Sequence, residues 1–225
     1  MDAAYHPDLG PVVYSIRALP ESSDGQVRST IGQVIRYIRQ DALSPFIQEE
    51  ARRCVKLGAG DPNKGVWNLL KSSMRFKRDE ALADDLQVDD SRKQDTIEVL
   101  IRPIDQWLLI KLRGLGIGDC DCFHMYGACL LWALGIPCSL ATISADPERP
   151  YEFSHVYLVS YLGGVRTPLD ISHGDYPGWE APHLGRIQEW KVQPNFEESL
   201  GNAVLVIGAF LGVYLGLSYL TRRAA

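Results

Sequence analysis

Apolar residues recur at helical spacing through the first third of the chain. Ile31, Val34, Ile35 and Ile38 share one face, which predicts an amphipathic helix over about 26–42. Ser44-Pro45 restarts a helix, with serine placed to cap and proline at the first position, where no amide is needed. Phe46, Ile47, Ala51 and Val55 make its apolar face, and Gly58 ends it. Asp61-Pro62 opens a third helix in the same way, with Val66, Leu69, Leu70 and Met74 inside. Residues 1–24 contain Pro7, Pro11 and Pro20 and read as irregular, apart from a short strand at 12–16. Residues 1–75 are therefore expected to be a mostly helical lead-in.

Between 77 and 96 the pattern turns acidic. Asp79, Glu80, Asp84, Asp85, Asp89 and Asp90 stand among few apolar groups, which predicts a solvated surface loop. Their spacing does not match a twelve-residue calcium loop, and no glycine sits at its turn. Helical periodicity resumes over 97–113 through Ile97, Leu100, Ile101, Ile104, Leu108, Leu109 and Leu112, despite Pro103. Gly114, Gly116 and Gly118 then break it. A strongly apolar helix is expected over 120–134, with Gly135 as its cap and Pro137 preventing continuation. Strands follow at 138–144, 154–162 and 165–169, the last two joined by a Gly163-Gly164 hairpin turn. Helices first, then a helix and a meander of strands, indicate an α+β fold.

Composition narrows the class. The 225 residues are 46% hydrophobic and 23% charged, which excludes a disordered, collagen-like or coiled-coil chain. The net charge is −5, and no basic stripe is present, so nucleic-acid binding is not expected. Of five cysteines, Cys54 stands apart while Cys120, Cys122, Cys129 and Cys138 crowd together, unlike a disulfide framework.

Residues 203–220 carry no charge and are followed by Arg222-Arg223. As a helix this run reaches about 27 Å, enough for a hydrocarbon core. Gly208, Gly212 and Gly216 lie on one face, the small-residue pattern of close helix pairing in lipid, and Tyr214 and Tyr219 suit an interface. The segment 199–225 is thus expected to be a membrane-spanning helix that self-associates. The competing reading is a buried helix of a larger assembly, such as a virion. The first ten residues have neither a basic start nor an apolar core and read as no secretory signal. A cytosolic body would then put Arg222-Arg223 outside, against the positive-inside bias.

The sharpest chemical feature is Gly118-Asp119-Cys120-Asp121-Cys122, a glycine break leading into the apolar helix. Cys120 falls at the helix N-terminus, where unpaired amides and the macrodipole favour an anion and lower a thiol pKa. The same amides suit a developing oxyanion. A cysteine nucleophile needs a base, and the base an orienting group. His155 starts the second strand and Asp170 ends the third, so the hairpin brings them within reach of each other, give or take a bulge. Gln106 or Trp107 is a candidate second oxyanion donor.

Other groups have plainer readings. Cys120-x-Cys122-x-His124 suggests zinc, but positions i and i+4 share a helix face while i+2 does not, and no fourth ligand is evident. Cys122, Cys129 and Cys138 read as inert buried groups, and Trp179 and Trp190 as packing. His124, His173 and His183 read as surface or turn residues, with His173 close enough to Asp170 to line a cleft.

Four runs in order carry a resemblance: Gly118-Asp119-Cys120-Asp121, Leu130-Leu131-Trp132-Ala133-Leu134-Gly135-Ile136-Pro137, His155-Val156-Tyr157-Leu158-Val159 and Pro168-Leu169-Asp170. Together they resemble the transglutaminase-like (papain-like) superfamily, and the upstream helices with Arg75-Phe76-Lys77 are similar to its small bacterial and prophage members. The resemblance spans 118–172 and implies a core over 76–198, with Cys120 as nucleophile, His155 as base and Asp170 as orienter. It implies acyl transfer through a thioester on a protein or peptide substrate, ending in amine transfer or hydrolysis as by a cysteine protease. No metal or organic cofactor is implied. Two positions depart from the pattern: Cys122 stands where an acid is common, and Arg166-Thr167-Pro168 where an aromatic is common. The alternative is a non-catalytic structural or membrane-piercing component, of phage origin, that keeps the fold.

Overall fold

Proline and acid signals set the helix starts. The computed structural model describes residues 2–6, 9–18, 23–87, 97–183 and 185–193. Strand β1 (Asp2–His6) pairs antiparallel with β2 (Gly10–Ala18). Helices α1 (Ser23–Asp41), α2 (Pro45–Leu57) and α3 (Pro62–Ser73) follow. Both prolines occupy the first helical position. Asp61 caps α3 by accepting from the amides of Asn63 and Lys64 at 2.9 and 3.2 Å. The Ser44 side chain makes no such bond, so α2 relies on proline alone. Where α2 meets α3, a Cβ on Gly65 would lie 1.8 Å from the Cys54 carbonyl oxygen, so only glycine permits the crossing.

Two expectations are corrected in the middle of the chain. The acidic stretch is not wholly loop: after β3 (Met74–Phe76) it forms α4 (Asp79–Asp85). Leu82, Ala83 and Leu86 bury one face, and Asp79 and Glu80 suit the positive end of the helix. Residues 88–96 lie outside the described residues. The expected helix over 97–113 is instead strand β4 (Ile97–Leu100) followed by α5 (Pro103–Arg113). Pro103 is the first residue of that helix and disfavours helical backbone at Arg102. Strand β4 pairs antiparallel with β2, a partner beyond the reach of local periodicity.

Strand β5 (Gly116–Gly118) runs parallel to β3, with Phe76 opposite Gly118, and feeds directly into α6 (Cys120–Ala133). Helix α6 is central. Phe123, Met125, Tyr126, Ala128, Cys129, Leu130 and Leu131 are all buried, because α1, α2, α3 and α5 surround it on one side and a sheet covers the other. Each fully buried leucine there contributes roughly 1.5–3 kcal/mol.

The covering sheet consists of β6 (Cys138–Ile143), β7 (His155–Ser160), β8 (Thr167–Leu169) and β9 (Ile187–Lys191), ordered β8-β7-β6-β9 and antiparallel throughout. The expected meander of three strands is present, and β1, β3, β4, β5 and β9 are additional. Cys138, Leu140, Val156 and Leu158 join the α6 core. Ala141, Ile143, Tyr157 and Val159 pack on the opposite face. The result is a mixed α+β fold with predominantly antiparallel sheets. Among the described residues no helix is long and apolar enough to cross a membrane. The expected membrane segment at 203–220 lies outside the described residues.

Candidate functional site

The site forms where the start of α6 meets the start of β7. Asp119 is the N-cap of α6, and its Oδ1 accepts from the amides of Asp121 at 3.1 Å and Cys122 at 3.4 Å. Cys120 is the first helical residue. It is partly exposed, whereas Cys54, Cys122, Cys129 and Cys138 are buried. Gly118 permits the tight entry: a Cβ there would come 2.3 Å from that of Cys122. Gln106, wholly buried, bonds both backbone groups of Ile117, donating through Nε2 and accepting through Oε1. Its carboxamide therefore holds the strand before Cys120. Trp107 stacks on Phe46 at 4.8 Å, outside the site.

His155 opens β7, and Asp170 follows β8 directly. Continuing one step past the last pair, Leu158 with Leu169, sets Asp170 opposite Tyr157. His155 is thus a diagonal neighbour on the same side of the strand. Its Nε2 lies 2.7 Å from Asp170 Oδ2. Asp170 is fully buried, and its Oδ1 accepts from Ser172 Oγ and the His173 amide, both at 3.2 Å. Burial works against its charge. The hydrogen bond from His155 and the nearby imidazoles outweigh it and hold the carboxyl below the usual range.

Two further histidines complete the cluster. His173 lies edge-on to His155 at 4.6 Å, with Phe76 on its other side at 5.3 Å, so it does line the cleft. His124 is not a surface residue. It is fully buried, accepts the Ile171 amide at Nε2 (3.0 Å), and donates from Nδ1 to the Cys120 carbonyl at 2.7 Å. Burial depresses its pKa to about 3, so it is a neutral imidazole. The i,i+4 spacing from Cys120 to His124 was the available signal. Cys122 turns the other way, donating to the Val99 carbonyl and accepting from the Ile101 amide, so Cys120, Cys122 and His124 do not converge on a metal.

Cys120 and His155 line two adjoining clefts. One, of about 210 Å³, is bordered by Thr30, Glu98, Asp121 and Phe153. The other, of about 720 Å³, is bordered by Phe76, Asp79, Arg149, His173 and Trp179. The helix start does not lower the Cys120 pKa as its position suggests. Burial first, then the carboxylates of Asp119 and Asp121, push the thiol well above its ordinary value, while the Val156 N–H favours the thiolate. The surroundings of Cys120 thus favour the thiol over the thiolate.

The carboxylates themselves are crowded. Asp79, Glu98 and the pair Asp119 and Asp121 come from three places in sequence, and burial together with mutual repulsion raises the pKa of Asp79, Glu98 and Asp119, Asp79 to about 7. Burial raises Asp121 as well, against the pull of Glu98 and His155. Two groups of metal-type donors occur among the described residues: Asp79 with Glu98 and Asp119, and His155 with Asp170 and His173. In the second, His155 and Asp170 already bond each other. No family model matches this chain, and neither a curated protein nor a solved structure is significantly similar to it.

Proposed function

We propose that the protein is a cysteine acyl-transfer enzyme with a transglutaminase-like core, held at a membrane by its C-terminal apolar segment. The observation that carries this reading is the 2.7 Å contact between His155 Nε2 and Asp170 Oδ2, at the rim of a cleft that also exposes the one reachable thiol. With Nε2–H engaged by the carboxylate, Nδ1 is the basic nitrogen. It takes the Cys120 proton as sulfur attacks the carbonyl carbon of a carboxamide or peptide. The amides of Asp121 and Cys122 are held by Asp119, so the Cys120 N–H is the first-turn donor for the oxyanion. His155 then protonates the departing amine or ammonia, leaving a thioester. A second amine or water gives up its proton to His155, attacks the thioester, and returns the sulfur its proton.

A second reading has a specific observation behind it. The upward push on the Cys120 thiol works against a resting thiolate nucleophile, and the alternative is a retained fold serving as a structural or membrane-piercing component, for instance in a phage particle. Ammonia release from a glutamine-containing peptide, with and without an added primary amine, separates the two. The enzyme reading expects turnover that Cys120→Ala abolishes. Absence of turnover and of a trapped thioester across glutamine and peptide substrates favours the structural one.

A further inference from the structure

Four large apolar side chains stand exposed on the α1–α2 turn, α2 and α5. Leu43, in the turn, is 71% exposed, and Leu112, near the end of α5, is 68% exposed. Phe46 and Leu108 are exposed as well. They belong to one surface. Phe46 stacks on Trp107, the residue before Leu108, with ring centroids 4.8 Å apart. Leu108 and Leu112 are one turn apart on α5 and share a face. Asp41, the last residue of α1, accepts the Ile104 amide at 3.2 Å, which brings the turn carrying Leu43 up to the start of α5. Scattered exposed leucines are ordinary, whereas a group on one surface marks a contact.

Charge indicates what is contacted. The exposed residues of α5 are Leu108, Lys111, Leu112 and Arg113, leucines and cations with no acid among them. Helices α2 and α5 together carry five cations (Arg52, Arg53, Lys56, Lys111, Arg113) against three acids, in a chain whose net charge is −5. Leucine and aromatic side chains set among Lys and Arg suit the headgroup region of an anionic bilayer. The path of the chain agrees. Arg39, in the last turn of α1, donates from Nε and Nη2 to the Val192 carbonyl at 3.0 and 2.9 Å. The described residues thus end, at Gln193, beside the end of α1 from which the Leu43 turn leads. Nine residues, 194–202, separate Gln193 from the uncharged run at 203–220, a reach of about 30 Å at most.

We propose that Leu43, Phe46, Leu108 and Leu112 form a surface that docks on an anionic lipid bilayer and lays the body of the protein against it. This rests on the membrane insertion of residues 203–220 proposed above. Four partly covered side chains gain too little to hold the body at a bilayer alone, in keeping with the solubility expected of a chain ending at Ser199. With the C-terminal segment inserted, the contact becomes intramolecular in effect and needs little affinity to persist. Lys111 and Arg113 then meet lipid phosphates while their stems extend the apolar surface.

The test uses the full chain carrying Cys120→Ala, in which the four remaining cysteines are buried. Leu43→Cys, Leu112→Cys and, as control, Tyr151→Cys each receive a fluorophore. Tyr151 is exposed in the β6–β7 connection, at the far end of β6 from Val192. The chain is reconstituted into vesicles of phosphatidylcholine with about a quarter phosphatidylglycerol, containing nitroxide lipids. The Leu43→Cys and Leu112→Cys labels should be quenched about twofold or more beyond the control, and less so without phosphatidylglycerol. Leu108→Glu should relieve that quenching while the chain still floats with the vesicles. Equal quenching of all three labels in a chain that floats overturns the docking surface and leaves the membrane segment standing, whereas a chain that does not float overturns both. Labels shielded from aqueous iodide but untouched by the nitroxide lipids would mark a second copy of the chain as the cover, and quenching indifferent to phosphatidylglycerol would remove the anionic partner. Either result overturns the inference.

Discussion

His124 Nδ1 lies 2.7 Å from the carbonyl oxygen of Cys120, and the opposite nitrogen accepts the Ile171 amide. One neutral imidazole thus joins the first turn of α6 to the backbone that carries Asp170. Its part is positional: it fixes the helix bearing the thiol relative to the loop bearing the carboxylate.

That role has a pH signature. The folded pKa of His124 is depressed to about 3, against 6.5 for a free histidine. Its contribution to stability is therefore complete above pH 6.5 and is lost as pH falls from 6.5 to about 3. The loss is on the order of 1.4 kcal/mol per pH unit across that window. Urea denaturation between pH 7 and pH 4 (roughly spanning it) should show a shallower pH dependence in His124→Gln than in the parent, by about one proton. An identical dependence in the two chains would contradict the buried neutral state.

Asp170 orients His155 and is shielded from solvent. Asp170→Asn keeps the shape but presents an amide to His155 Nε2 and removes the countercharge. Turnover should fall by about 100-fold or more, with KM little changed and the fold retained. Equal loss from Ser172→Ala, which bonds the other carboxylate oxygen and His173 Nδ1 but not His155, would show that the acid is structural.

The C-terminal segment should hold the chain in membranes. Full-length protein is expected in the detergent-extracted fraction, and a chain ending at Ser199 in the soluble fraction with its thiol reactivity intact. Gly212→Ile should weaken self-association without releasing the chain from the membrane. Full-length protein that is monomeric without detergent would mark the segment as a buried helix.

The helix starts at Pro45, Pro62 and Cys120 were legible because proline, cap and glycine signals act over a few residues. Strand β4 was not: Ile97, Leu100 and Ile101 fit a helical stripe and a buried strand equally, and pairing with β2 decides between them. Helix α4 was hidden because six acids outweighed Leu82, Ala83 and Leu86 in the local pattern. The His155–Asp170 contact could be counted out from the Gly163-Gly164 turn. Glu98 and Asp79 could not be placed, since residues 79, 98 and 119 meet only through tertiary packing. The direction of the Cys120 pKa was misjudged because burial, which local sequence does not show, dominates it, with the flanking Asp119 and Asp121 acting in the same direction.

The central claim is that Cys120 is a thiol deprotonated by His155. Iodoacetamide alkylation at neutral pH, followed by peptide mapping, tests it most directly in the parent chain and in His155→Ala. Cys54, Cys122, Cys129 and Cys138 are buried and Cys120 is partly exposed, so Cys120 should be labelled first. Removing His155 should slow that labelling by about tenfold or more without changing its site. Labelling of Cys54 or Cys138 ahead of Cys120, or an unchanged Cys120 rate in folded His155→Ala, would contradict the account.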